Sequence, residues 1–109
     1  MATKKQIKKY NKLVRDKLPK IIKEENRDYS IRKLDDSEML NALCQKLKEE
    51  AQEFCENPCI EELVDVRTVI DAIQTHMQIS NFNFVYKIRE KLDHCGGFKK
   101  GYFLEWAET

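Results

Sequence analysis

Glu50 and Glu53 form one i,i+3 pair of carboxylates, and Glu62 and Asp65 form a second, twelve residues further on. On a helix that spacing puts both members of a pair on one face. Asn57-Pro58 lies between the pairs. Asn is a favoured helix cap and Pro a favoured first helical residue, so one helix should end near Glu56 and the next begin near Pro58. A short connection makes the two antiparallel neighbours. Glu53 and Glu62 are equally far from the centre of the turn, and so are Glu50 and Asp65. Each should face its counterpart, within about one helical turn or roughly 5 Å. Four facing carboxylates repel, and at least one would take up a proton unless a cation were shared. All-oxygen ligands favour a hard divalent ion, Mg²⁺ or Mn²⁺.

The elements that must position these groups can be read from apolar spacing. Residues 35–38, Asp-Asp-Ser-Glu, open a long helix to about Glu56, with Leu40, Leu43, Leu47 and Phe54 on one stripe and Ala51 beside it. A second helix from Pro58 to about Gln78 carries Leu63, Val66, Ile70, Ile73 and Met77 at steps of three and four. A short helix capped by Asp16, with Pro19 in its early turn, precedes them and should end at Asn26-Arg27. Ser80-Asn81 offers a cap for a last helix, which Gly96-Gly97 ends. Residues 29–34 alternate weakly, and residues 102–106 are short and β-like. The predicted class is an all-α helical bundle built on an antiparallel hairpin, with a minor two-stranded ribbon from those two runs, in one domain over residues 1–109. Two helices with one apolar stripe each need more cover than this chain supplies. A homodimer, completing a four-helix bundle, or a dimer of dimers is therefore expected.

With 109 residues and a net charge of +1, charge is still unevenly spread. Residues 1–33 hold twelve Lys/Arg against four Asp/Glu, whereas residues 34–71 hold three against eleven. A basic third beside an acidic third suits a polyanion that arrives with metal, and suits duplex nucleic acid poorly. No stable nucleic-acid partner is expected. No apolar run approaches a membrane span, and the basic residues 1–5 lack the apolar stretch of a signal peptide; a cytoplasmic location without membrane association is expected. Cys44, Cys55, Cys59 and Cys95 lack the paired spacing of a zinc ribbon and read as free thiols, although Cys55 and Cys59 with His76, or with His94-Cys95, would offer zinc ligands.

The chain resembles the all-α nucleotide pyrophosphatases, which include MazG-like enzymes and phosphoribosyl-ATP pyrophosphohydrolase. The resemblance is carried by Glu50-Ala51-Gln52-Glu53 and Glu62-Leu63-Val64-Asp65, the E-x-x-E and E-x-x-D signatures of that family. It extends to Tyr10-Asn11-Lys12-Leu13-Val14-Arg15-Asp16-Lys17-Leu18-Pro19 and to Gly96-Gly97-Phe98-Lys99-Lys100-Gly101-Tyr102-Phe103-Leu104-Glu105, which look like the compact phosphoribosyl-ATP pyrophosphohydrolase-like branch. Cys95 stands where that branch often has arginine.

The resemblance implies cleavage of a nucleoside triphosphate between the α and β phosphates, giving monophosphate and pyrophosphate. It implies Mg²⁺ held by Glu50, Glu53, Glu62 and Asp65. Glu49, or one of the four, would accept a proton from the attacking water. Asn11, Lys12, Arg15 and Lys17 are expected to contact substrate, and Arg15 most of all, because its planar fork suits phosphate oxygens. Lys91 and Lys99 are further candidates. Plainer readings stand beside each: a charged helix hairpin with ordinary ion pairs for the carboxylates, solvated helix-start charges for the cations, and core or dimer contacts for Tyr102, Phe103 and Trp106. Two alternatives to the leading function are hydrolysis of phosphoribosyl-ATP in histidine biosynthesis and a non-catalytic module that binds a nucleotide or a partner.

Overall fold

Four helices carry the regular backbone of the computed structural model: α1 (Leu18–Glu24), α2 (Asp36–Glu56), α3 (Ile60–His76) and α4 (Asn81–Cys95). The structure describes residues 6–109; the basic start, residues 1–5, lies outside the described residues. The chain falls into two compact units, one reaching to Met77 and the other formed by Gln78–Thr109. The all-α class expected from spacing is what forms, but the ribbon does not: among the described residues no strand is present.

The start of α2 explains half of that difference. Asp35 Oδ1 accepts the Glu38 N–H at 3.0 Å, and Glu38 Oε1 accepts the Asp35 N–H at 3.3 Å. This reciprocal cap satisfies two backbone donors that would otherwise lack partners. Arg32 then lays its fork on Glu38, with Nη1 at 3.1 Å and Nη2 at 2.8 Å from the two oxygens. The run 29–34 is thus committed to the helix start, where the alternation of side chains suggested a strand. Arg32, first by hydrogen bonding and then with help from the Asp35 backbone, holds the Glu38 carboxyl down from 4.5 to about 2. A lowered carboxyl contributes stability above its unfolded value and loses it as pH falls through the folded one. The wild type should therefore lose thermal midpoint between pH 4.5 and about 2 more steeply than Glu38→Gln. Parallel acid curves would show that the pair contributes nothing.

α1 departs from expectation at its cap. Lys17, without a side-chain capping bond, takes the position assigned to Asp16, and Pro19 sits in the first turn, where its missing N–H costs nothing. Asn26, at φ 56°, closes the element as predicted.

The turn between α2 and α3 is three residues, Asn57-Pro58-Cys59. Asn57 ends α2, its N–H donating to the Glu53 carbonyl at 3.0 Å, and does not cap α3. Cys59 is the N-cap of α3, and Pro58 stays in the link. A fixed φ and no N–H suit Pro58 to that position equally well.

α2 packs on α3. Leu43 (2% exposed) and Val69 (7%) are the buried apolar residues. Half-buried Ala42, Leu47, Phe54, Val66, Ile70 and Ile73 surround them. On α3 the inward stripe keeps Val66, Ile70 and Ile73 of the one predicted but not its two ends. Leu63 and Met77 are each 53% exposed, while Glu62, Val66, Val69 and Ile73 face inward at the same steps of four, three and four. Leu40, expected on the α2 stripe, is 40% exposed. The inward stripes turn acidic toward the link: Glu50 continues Leu43 and Leu47 on α2, and Glu62 continues Val69 and Val66 on α3.

In the second unit Ser80 Oγ accepts the Asn83 N–H at 3.1 Å, and Gly96, at φ 78°, ends α4 in a conformation that favours glycine. Both were expected. Tyr102, Phe103 and Trp106 are exposed rather than core, because residues 96–109 form no regular element that could bury them.

Candidate metal centre

Glu50, Glu62 and Asp65 each offer one carboxylate oxygen within 4.8 Å of the other two. α2 supplies the first and α3 the other two, one helical turn apart, so rigid backbone on both sides of the interface holds them. Glu50 approaches both α3 carboxylates, so the level-by-level pairing expected from the turn contracts into a single cluster of three. Glu53, predicted as a fourth member, lies outside it and is exposed. It remains within reach electrostatically. A proton on Glu53 can be shared with Glu50, and that hydrogen bond, followed by repulsion from Glu50 and then Glu62, raises its pKa. The crowding expected of facing carboxylates thus shows as a raised pKa at this rim residue.

Glu50 is 7% exposed, the one charged residue found buried among those described. Its Oε1 receives Lys46 Nζ at 3.1 Å, while its Oε2 is shut off from water without a hydrogen-bond partner. Glu62 Oε2 is in the same state. Two orphaned acceptors in one acidic cluster cost about 1–3 kcal/mol each. The donor set fits a hard divalent cation: oxygens on rigid elements, excess negative charge and buried oxygens with unfilled lone pairs.

Cations surround the cluster. Arg15 Nη2 lies 2.5 Å from Asp65 Oδ1 and 3.4 Å from Thr68 Oγ1. Lys12 Nζ lies 2.6 Å from Glu49 Oε1, and Lys46 Nζ lies 3.5 Å from Glu49 Oε2. Hydrogen bonding to Lys12, opposed by partial burial, lowers the Glu49 pKa, and the same bond raises that of Lys12. Glu49 is thus held as a carboxylate beside the cluster, ionised as a proton acceptor must be.

Of the predicted substrate contacts, Lys12 and Arg15 reach this site. Asn11 (φ 46°) and Lys17 are exposed on the same segment, and Lys91 and Lys99 are exposed in the second unit. Lys46 and Thr68 were missed. Lys46 could have been found, because it stands four residues before Glu50 on a helix. Nothing in the sequence marks Thr68, whose hydroxyl also donates to the Val64 carbonyl at 2.8 Å. The four cysteines are free thiols. No known protein family matches the chain, and neither a curated protein nor a solved structure does.

Proposed function

We propose that the protein is a Mg²⁺-dependent nucleoside triphosphate pyrophosphohydrolase, cleaving between the α and β phosphates to release monophosphate and pyrophosphate. The observation that carries the reading is the cluster of Glu50, Glu62 and Asp65, in which the two glutamates, on facing helices, each have a buried oxygen without a hydrogen-bond partner. Solvated carboxylates of a charged hairpin have no reason to lose water and gain nothing in return. A bound Mg²⁺ would polarise the phosphate and lower the pKa of water.

The chain's own residues do the rest. Glu50, Glu62 and Asp65 would hold the ion, and Glu53 stands at the rim. Glu49, kept ionised by Lys12, would accept the proton of the attacking water. Lys46 fixes Glu50 from below. Arg15 and Lys12 supply positive charge where phosphate oxygens would approach. Mn²⁺ meets the same ligand requirements and should substitute.

The same proposal includes a homodimer or a dimer of dimers. Ile60 (71% exposed), Leu63 and Val64 leave one face of α3 apolar and uncovered, which suits a second copy. Among the described residues no helix is long and apolar enough to cross a membrane; a cytoplasmic enzyme without a stable nucleic-acid partner is the reading adopted.

The test is product analysis with a panel of NTPs, dNTPs and phosphoribosyl-ATP in the presence of Mg²⁺. Monophosphate and pyrophosphate from several triphosphates is the expected result. Turnover of phosphoribosyl-ATP alone would move the assignment to the biosynthetic hydrolase. Mg²⁺ binding with no turnover of any of them would leave a binding module.

A further inference from the structure

Lys12 and Arg15 lie 37 and 50 residues from the carboxylates they touch, on the segment that leads into α1. That segment is irregular, yet it is held in its middle and at its α1 end. Leu13 and Val14 are half-buried, and the Arg15 carbonyl accepts the Leu18 N–H at 3.0 Å, tying the segment to the first turn of α1. The cations themselves stay wet, with side-chain exposures of 40% for Lys12 and 57% for Arg15. The backbone is therefore anchored while both charged tips remain free to change partner.

Arg15 occupies an oxygen side of Asp65, one of the three clustered carboxylates. A divalent cation and a guanidinium cannot share that carboxylate without mutual repulsion. Free metal on Asp65 works against Arg15 and leaves it no anion, only the weak contact to Thr68 Oγ1 at 3.4 Å. Metal that arrives on a polyphosphate brings its own anion, and the fork geometry of Arg15 suits phosphate oxygens as well as it suits a carboxylate.

Building on the metal-site reading above, we propose that Lys12 and Arg15 are exchangeable counter-ions: they neutralise Glu49 and Asp65 while the cluster lacks a cation, and pass to the phosphate oxygens when metal-bound polyphosphate enters. The exchange makes the site discriminate against free metal. It also ties Glu49 to catalysis, because losing Lys12 to phosphate opens its Oε1 to water only when substrate is present, while Lys46 stays beside Oε2.

The experiment measures two affinities, for Mn²⁺ alone and for Mn²⁺–tripolyphosphate, by the electron paramagnetic resonance signal of unbound Mn²⁺ and by calorimetry. Arg15→Gln should bind Mn²⁺ alone roughly tenfold more tightly and Mn²⁺–tripolyphosphate roughly tenfold more weakly, the scale expected for one charge near a divalent ion at a wet site. Lys12→Gln, one residue removed from the cluster, should shift both in the same senses by less. Affinities that move together, or that do not move, in variants with wild-type helical circular dichroism would overturn the exchange. Glu62→Gln separates the two levels. If the wild type and Arg15→Gln both fail to bind Mn²⁺, or bind it regardless of Glu62, the metal centre itself is wrong. If binding depends on Glu62 but Arg15→Gln gives no opposed shift, only the exchange is wrong.

Discussion

Glu62→Gln should lose turnover by more than roughly a hundredfold, the loss that removing merely an outer partner of a metal ligand can cause. It should do so while the apo protein becomes slightly more stable. Glu62 Oε2 is a buried acceptor with no donor, in a cluster of three carboxylates. An amide of the same shape removes a negative charge and supplies two donors to the neighbouring oxygens. Relief of roughly 1 kcal/mol is reasonable for one orphaned acceptor, which corresponds to a rise of about 4–8 °C in Tm for a unit of this size. Mg²⁺ should raise the Tm of the wild type, because a ligand that binds only the folded state stabilises it, and should leave the variant unmoved. Glu50→Gln and Asp65→Asn should behave alike in turnover. Undiminished hydrolysis by Glu62→Gln, or an apo form less stable than wild type, would remove the case for a metal centre and return the cluster to an ordinary charged surface.

Leu43→Ala should destabilise the protein more than any other single apolar truncation among the described residues. Leu43 is 2% exposed, and Val69 is the other apolar residue buried with it. Truncating a fully enclosed leucine costs about 2–5 kcal/mol from lost transfer energy and the cavity left behind. Small domains hold only about 5–15 kcal/mol in total, so this variant should melt far below wild type and take the α2–α3 packing with it. Leu40→Ala, 40% exposed on the same helix, should cost much less. Denaturant midpoints for the two variants measure the difference. Equal losses would mean that the inward face of α2 is not the one described.

The comparison of Leu40 with Leu43 shows what a linear pattern can and cannot convey. The existence of α2, α3 and α4, the start of α2 at residues 35–38, the cap Ser80 and the stop at Gly96 all follow from interactions within a few residues, and these were legible. So was the meeting of acidic groups from the two helices near the turn, because a short turn makes them antiparallel neighbours; the expected levels, Glu53 with Glu62 and Glu50 with Asp65, gave way to a trio without Glu53. Local chemistry failed where two local solutions were equivalent. Asn57-Pro58 can start a helix or end one, and it ends α2. Residues 29–34 alternate like a strand, but Arg32 and Asp35 find better partners at the helix start.

By itself the sequence determined an all-helical chain in which acidic groups on consecutive helices meet near a turn. It did not determine which side of α3 meets α2. Leu63, Val66, Ile70, Ile73 and Met77 satisfy the helical period with apolar groups throughout; Glu62, Val66, Val69 and Ile73 satisfy it equally, with a carboxylate at the turn end. Periodicity favours the first; the tertiary structure keeps its middle, Val66, Ile70 and Ile73, and replaces its exposed ends, Leu63 and Met77, with Val69 and Glu62. Turning α3 that way leaves Leu63 outward and brings Glu62 and Asp65 onto Glu50, beside the distant cations Lys12 and Arg15 and the nearby Lys46. Spacing along one helix is a property of neighbours in sequence, whereas the burial of Glu50 and the pairing of Arg15 with Asp65 depend on groups far apart in the chain, and only folding brings those into contact.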